Sequence, residues 1–357
     1  MDLKKIQSII SEKDYDALLL SGLENPKAAN NLYYATGYTG SYGFAIIGKD
    51  FEYFISDFRY REQAQIEAKN YTFVEIKDGL INTLKEIIEK ENIENLGFDG
   101  LMRYSEYQMY EKLNITLTPV NGLIESFREV KNKIEIKKLK KACEITDEAL
   151  KYALKQIKEG MMEKELEVIL KTKMIELGAD KTWDRFIVAS GVRGSMPHGM
   201  ASDKPIKKGE LITFDIGCFY EGYTSDLTRT IAFGEVSVEL KKIYNIVLEA
   251  QLRGVKSAKA GMTGKALDSV CRDYIDSKGY KENFAHGTGH GVGLDVHEGP
   301  RVSQAYDKPL KAGACVTIEP GIYVEGLGGV RIEDDIILTE DGNIVLNEFP
   351  KELIIID

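Results

Sequence analysis

Along the first 125 positions, short apolar runs of period two alternate with stretches of helical period. DALLLSG, YGFAIIG, FEYFISD and NLGFDG read as strands, and REQAQIEAKN and INTLKEIIEKEN as amphipathic helices. This alternation predicts a small α/β domain over 1–125. From about 131 to 159 the apolar positions Ile134, Leu139, Cys143, Ile145, Leu150, Ala153, Leu154 and Ile157 recur at helical intervals, and Gly160 supplies a stop. Beyond it the pattern gives a helix, a strand, a hairpin, a long helix over about 238–260, a shorter one over 265–278, a glycine-rich loop and a closing set of strands. Strands interspersed with few helices, lacking βαβ regularity, predict an α+β domain on an antiparallel sheet over 126–357, entered through the helix at 131–159. No internal repeat or low-complexity tract interrupts the pattern.

Composition narrows the function classes. The 357 residues are 43% hydrophobic and 29% charged, enough for about two domains with real cores. A net charge of -10 disfavours a surface that neutralises phosphates, and the lysines between 131 and 141 alternate with apolar residues as on the solvated face of a helix. No nucleic-acid partner is expected. Cys143, Cys218, Cys271 and Cys315 lack CxxC spacing, so they read as small buried hydrophobes in a reducing compartment. The opening segment has no basic start followed by a long apolar run, and no run approaches the ~20 apolar residues of a membrane span. A cytoplasmic protein with no membrane partner is the expectation.

The chemistry concentrates in the second half. All four histidines, His198, His286, His290 and His297, lie there, among carboxylates in apolar or glycine-rich surroundings where an unpartnered charge is costly. In ITFDIGCFYEGYTSDLTRTIAF a two-residue turn at Glu221-Gly222 sets Tyr220 opposite Tyr223, Gly217 opposite Asp226 and Asp215 opposite Thr228. Asp215 and Asp226 then project from one face as diagonal neighbours, a spacing from which two carboxylates reach a pair of metal ions. Two solvated aspartates are the competing reading, which the apolar setting of Ile212 and Phe214 argues against. NFAHGTGHGVGLDVHEGPR places His286, His290 and His297 among glycines suited to close backbone approach or positive φ. His290 and His297 are nitrogen donors for a divalent metal or an oxyanion, whereas His286 reads as structural. Glu319 ends an apolar strand before Pro320-Gly321. Glu333 shares a strand face with Arg331, whose guanidinium can anchor that carboxylate or a neighbour, and Asp334 and Asp335 compete with Glu333 for a ligand role. Four carboxylates and one histidine form a hard, oxygen-rich set suited to two divalent ions such as Mn, Co or Zn, for which hydrolysis is the expected chemistry.

The ordered set Asp215, Asp226, His290, Glu319, Glu333, within DIG, SDLTRT, HGTGHGVGLDVHE, EPGIY and VRIEDD, resembles the M24 pita-bread metallopeptidases, which include methionine aminopeptidase, prolidase and aminopeptidase P. NLYYATGY and ISDFRY in the first domain resemble the creatinase-type domain of prolidases and aminopeptidases P. The resemblance implies a pita-bread fold behind that smaller domain, with Asp226 and Glu333 bridging two metals, Asp215 on one, and His290 with Glu319 on the other. It implies that Glu319 shuttles a proton, that His198 and His297 bind the substrate carbonyl or the oxyanion, and that Arg331 orients a bridging carboxylate. The Pro-His-Gly setting of His198 and the extra domain imply a proline-containing peptide substrate cut at an Xaa-Pro bond, and a homodimer. Aminopeptidase P-like use of longer peptides is slightly favoured over dipeptides, because no residue is identified that demands a free carboxylate on proline. ASGVRGSMPHG departs from the commoner ASGxNSxxPH form at Val192-Arg193-Gly194, and Arg193 reads either as a surface cation or as a partner for such a carboxylate.

Overall fold

The computed structural model describes residues 3–23 and 25–357, and the chain divides into two compact units, Met1–Arg128 and Glu129–Asp357. In the first, helices α1 (Leu3–Ile10), α2 (Pro26–Thr36), α3 (Arg61–Glu67), α4 (Leu80–Glu91), α5 (Tyr104–Tyr110) and α6 (Leu123–Arg128) surround strands β1 (Ala17–Ser21), β2 (Phe44–Gly48), β3 (Glu52–Ser56), β4 (Thr72–Glu75), β5 (Asn95–Asp99) and β6 (Thr116–Val120). The sheet order is β4-β3-β2-β1-β5-β6, with β1–β2 and β2–β3 antiparallel and the other pairs parallel. Period two explains the two-sided core. Leu18 and Leu20 of β1 face one cluster with Ile6, Leu32 and Ala64, whereas Ala17 and Leu19 face another with Leu84, Ile87 and Tyr110.

The second unit opens on α7 (Lys133–Leu154), started by a capping box in which Asn132 accepts from the Ile134 and Glu135 N–H groups and Glu135 returns a bond to Asn132 N. The helix stops five residues short of the predicted 159. Its last turn tightens, with Lys155 and Gln156 donating to Tyr152 and Ala153, and the Gly160 N–H is taken by Ile206 O at 2.9 Å. Next come α8 (Glu163–Glu176), β7 (Lys181–Thr182), β8 (Ile187–Ser190), β9 (Glu210–Ile216), β10 (Cys218–Tyr220), β11 (Tyr223–Thr224) and β12 (Leu227–Phe233). After α9 (Val238–Ser257) and α10 (Gly264–Ser277) follow β13 (Gly289–Gly291), β14 (Glu298–Val302), β15 (Cys315–Ile318), β16 (Gly321–Val324), β17 (Gly328–Arg331), β18 (Asp334–Leu338), β19 (Asn343–Val345) and β20 (Ile355–Ile356).

Two sheets, ordered β20-β12-β9-β8 and β14-β13-β15-β18-β19, form the framework. Leu166, Leu170 and Ala149 of α8 and α7 pack on Val188, Phe214 and Ile231 of the first. Ile243, Val247 and Leu267 of α9 and α10 pack on Val316, Ile318 and Ile336 of the second. The sheets meet along residues 331–335: Glu333 N donates to Thr228 O at 3.1 Å, and Thr230 Oγ1 to Arg331 O at 3.0 Å. The four cysteines are buried and form no disulfide. Among the described residues no helix is long and apolar enough to cross a membrane.

Candidate metal centre

The β9–β12 register determines where the two aspartates stand. Asp215 pairs with Thr228 and Tyr220 with Tyr223, and Glu221 and Gly222 take φ of 47° and 83°, the type I′ turn that the right-handed twist of a hairpin favours. The register is unbroken through the turn, so Asp215, on β9, and Asp226, just before β12, look into one cavity of about 950 Å³. His290 enters it from β13, Glu319 from the connection between β15 and β16, and Glu333 from the bend between β17 and β18. His198, His297 and Arg331 line the same cavity, with both histidines exposed at its mouth.

The glycines around His290 serve close approach. A Cβ at Gly289 would collide with the Thr317 carbonyl and one at Gly291 with the Gly299 carbonyl, while neither residue has positive φ. His290 Nδ1 lies 3.1 Å from Gly291 O, which can only accept, so Nδ1 carries the proton and Nε2 presents a lone pair. Burial, with His297 beside it at 4.3 Å between ring centroids, pulls the His290 pKa down to about 3. The neutral Nε2 stands 3.3 Å from Glu319 Oε1 and 3.6 Å from Asp226 Oδ2.

These atoms are all acceptors, and the carboxylates register the crowding. Burial raises Glu319 to about 8, and burial followed by the charges of Glu333 and Asp215 raises Asp226 well above its ordinary value. Glu333 is raised for the same reasons, burial first and then Glu319 and Asp215. One ligand atom each of Asp226, His290 and Glu333 lies within 4.8 Å of the others. A convergence of oxygen and imidazole acceptors that outnumbers the donors around it is what a divalent cation satisfies, so the donor set fits the metal that the sequence implies.

The surrounding contacts separate the carboxylates that sequence parity leaves in competition. Thr228 Oγ1 donates to Glu333 Oε2 at 2.5 Å. Asp334 instead pairs with Arg229 at 2.7 Å and with Lys351 at 2.5 Å, and Asp335 accepts the Asp226 backbone N–H at 2.8 Å and the Cys143 thiol at 3.4 Å. Strand parity fails here because β17 ends at Arg331 and β18 begins at Asp334, so Glu333 belongs to neither strand. Arg331 grips Asp215 at 2.5 Å in place of Glu333, and also donates to Thr228 Oγ1, Tyr323 Oη and Pro197 O. Tyr323 Oη lies 2.9 Å from His286 Nε2, whose other nitrogen faces Gly287 O at 2.8 Å, and burial holds His286 to about 4. A neutral His286 therefore belongs to a hydrogen-bonded support behind Asp215. Thr228 escapes sequence reasoning, although its place two residues after Asp226 on one strand face is a usable signal. Arg185 and Arg301 also line the cavity, with Arg301 paired to His290 across β13 and β14.

Residues 137–340 match the model for metallopeptidase family M24, and residues 3–130 that for the Creatinase/Prolidase N-terminal domain. The chain is 39% identical to an Xaa-Pro dipeptidase of Pyrococcus furiosus over 356 residues, 99% of each chain. An Xaa-Pro dipeptidase from Bacillus anthracis superposes with a TM-score of 0.95 at 44% identity, covering 99% of each chain. An X-Pro aminopeptidase from Thermotoga maritima superposes with a TM-score of 0.91 at 39% identity, over 97% of this chain and 99% of the other. With matches of this extent in both units, around a cavity that gathers four carboxylates and a neutral histidine, the chain belongs to metallopeptidase family M24.

Proposed function

We propose that this metallopeptidase cleaves the peptide bond between an N-terminal residue and a following proline. The observation that carries the reading is the convergence of Asp215, Asp226, His290, Glu319 and Glu333 on one acceptor-rich cavity, in a chain similar along its whole length to Xaa-Pro dipeptidases and an X-Pro aminopeptidase. Those five residues would hold two divalent ions, Mn, Co or Zn. When bound, such ions lower the pKa of a water and polarise the scissile carbonyl.

The chain's own groups do the rest. Glu319, with a side chain 16% exposed at the cavity wall, takes the proton from the attacking water and delivers it to the proline nitrogen. His198 and His297, at the mouth, donate to the carbonyl oxygen as it gains charge. An Xaa-Pro bond lacks an N–H and has a fixed φ at proline, so ring shape can stand in for a hydrogen bond at the scissile nitrogen. Arg185 and Arg301 on the cavity wall favour dipeptides, because either can meet the free carboxylate of a C-terminal proline. This moves the preference away from the longer peptides expected from sequence. A homodimer is part of the proposal, on the family resemblance alone.

The test is kcat/KM for Ala-Pro, Ala-Pro-Ala, Ala-Ala-Ala and Met-Ala-Ala, measured side by side with Mn or Co supplied. Ala-Pro is expected to lead. Preference for Met-Ala-Ala would overturn the Xaa-Pro reading, and preference for Ala-Pro-Ala would overturn only the dipeptide assignment.

A further inference from the structure

His198 lies on the loop between β8 and β9, and one buried carboxylate closes that loop at its base. Glu163, the first residue of α8, is fully buried. Its Oε1 accepts from the Ser190 N–H at 2.7 Å and the Ser190 hydroxyl at 2.8 Å, and its Oε2 from the Ser202 N–H at 3.1 Å and the Ser202 hydroxyl at 2.6 Å. One side chain thus ties together the two residues that bracket the His198 segment. Lys204 extends the anchor, donating to Ser190 Oγ at 2.8 Å while pairing with Glu210 at 2.7 Å.

Arg193 reaches into this arrangement from inside the loop. Its Nη1 pairs with Glu163 Oε2, and its Nη2 donates to Met200 O at 2.7 Å. The Met200 N–H in turn donates to His198 O at 2.8 Å. On the opposite side Pro197 O accepts from Arg331, the arginine that grips Asp215. Arg193 is not among the residues lining the cavity, and both arms of its guanidinium are engaged, so it is not placed to receive a substrate carboxylate. One planar fork that spans two separate acceptors in this way is a geometry that lysine cannot copy.

We propose that Glu163 and Arg193 form a positioning pair that holds the His198 loop against the metal centre, so that Arg193 contributes to turnover through His198 while touching neither substrate nor metal. The inference rests on the reading that His198 acts on the substrate carbonyl. Arg193 is the residue to perturb. Without it the Glu163 carboxylate keeps its four donors from Ser190 and Ser202, whereas removing Glu163 strands those donors and the arginine together.

The experiment combines Arg193→Ala, Arg193→Lys, His198→Ala and the Arg193→Ala/His198→Ala double variant in Mn-loaded protein. It reads kcat and KM on Ala-Pro, metal content, and hydrogen exchange of the 190–202 segment. Arg193→Ala is expected to lower kcat by about tenfold, within the range that displacement of a reacting group by ~1 Å commands. Metal content should be unchanged, and exchange in 190–202 should rise while that of β9 and β12 does not. Arg193→Lys should fall between Arg193→Ala and the parent. In the His198→Ala background the Arg193→Ala change should cost less than about twofold, the non-additivity expected of residues acting through one another. A full tenfold loss in both backgrounds, or unaltered exchange in the loop, would overturn the positioning role while leaving that of His198 intact. An unchanged kcat in His198→Ala alone would overturn the role given to His198 and the inference with it.

Discussion

Metal removal should reverse the usual benefit of neutral pH for this protein. In the metal-free fold, burial holds Glu319 to about 8 against an ordinary value of 4.5, and Asp226 and Glu333 are raised by burial and by one another. A group whose pKa is raised on folding stabilises the fold fully below its unfolded pKa, and that stability is lost as pH rises through the folded pKa. His286 and His290, depressed to about 4 and 3, act in the opposite sense, but chiefly below pH 6.5, where the unfolded chain binds the extra protons. Between roughly pH 6.5 and 8 their residual effect is offset by Asp335, raised by burial to about 7. Across that window one proton retained on Glu319 is worth about 2 kcal/mol, at 1.36 kcal/mol for each tenfold in proton affinity. Asp226 and Glu333, raised in the same direction, add to that fall. For a unit the size of Glu129–Asp357, about 2 kcal/mol corresponds to roughly 4–8 °C in Tm. Calorimetry of chelated protein from pH 6.5 to 8 should show that fall, and saturation with Mn or Zn, which replaces the protons, should abolish it. A metal-free Tm that stays level or rises across the window would refute the claim that these carboxylates crowd together with more negative charge than Arg331 offsets.

Exhaustive chelation should abolish hydrolysis while far-ultraviolet circular dichroism at pH 6.5 shows both units still folded, because their apolar cores do not depend on the metal. Glu319→Gln keeps size and one oxygen donor but removes the proton shuttle, so turnover should fall at least ~100-fold at full metal occupancy; near-parental turnover would remove Glu319 from the mechanism. Metal analysis should show loss of an ion in His290→Ala and retention in His198→Ala and His297→Ala, with turnover lowered in all three. Arg229→Met breaks a pair with Asp334 in which both side chains are buried, and also strips bonds from Pro350 O and Phe349 O. Urea unfolding should report a loss of about 3 kcal/mol, the low end for a broken buried pair, because Lys351 and Gln251 still serve Asp334.

The parts of this protein legible without coordinates are those set by neighbours in sequence. The Glu221-Gly222 turn, the pairing of Asp215 with Thr228 and the common aim of Asp215 and Asp226 follow from turn chemistry and period two, both of which act within a dozen residues. The strands β1, β2, β3 and β5 were equally visible, as short apolar-rich segments in the inner positions of a covered sheet. The sheet-edge strands β4 and β6 were not, since β6 carries Pro119 and both have weak apolar faces. Helix α2 also escaped, its start resting on the Asn25 cap and Pro26 with little amphipathic contrast behind them. Strand parity by itself left Glu333 and Asp335 in competition, and the tertiary structure puts Glu333 in the cavity and Asp335 on the Asp226 backbone, because parity holds only within an unbroken strand and the chain changes sheets between Arg331 and Asp334. Tertiary structure alone sent Arg331 to Asp215 and Arg193 to Glu163, partners 116 and 30 residues away. Side-chain type announces that a buried cation must find an anion, but which anion depends on how sheets and helices stack, and that is settled by burial of apolar faces far from either charge.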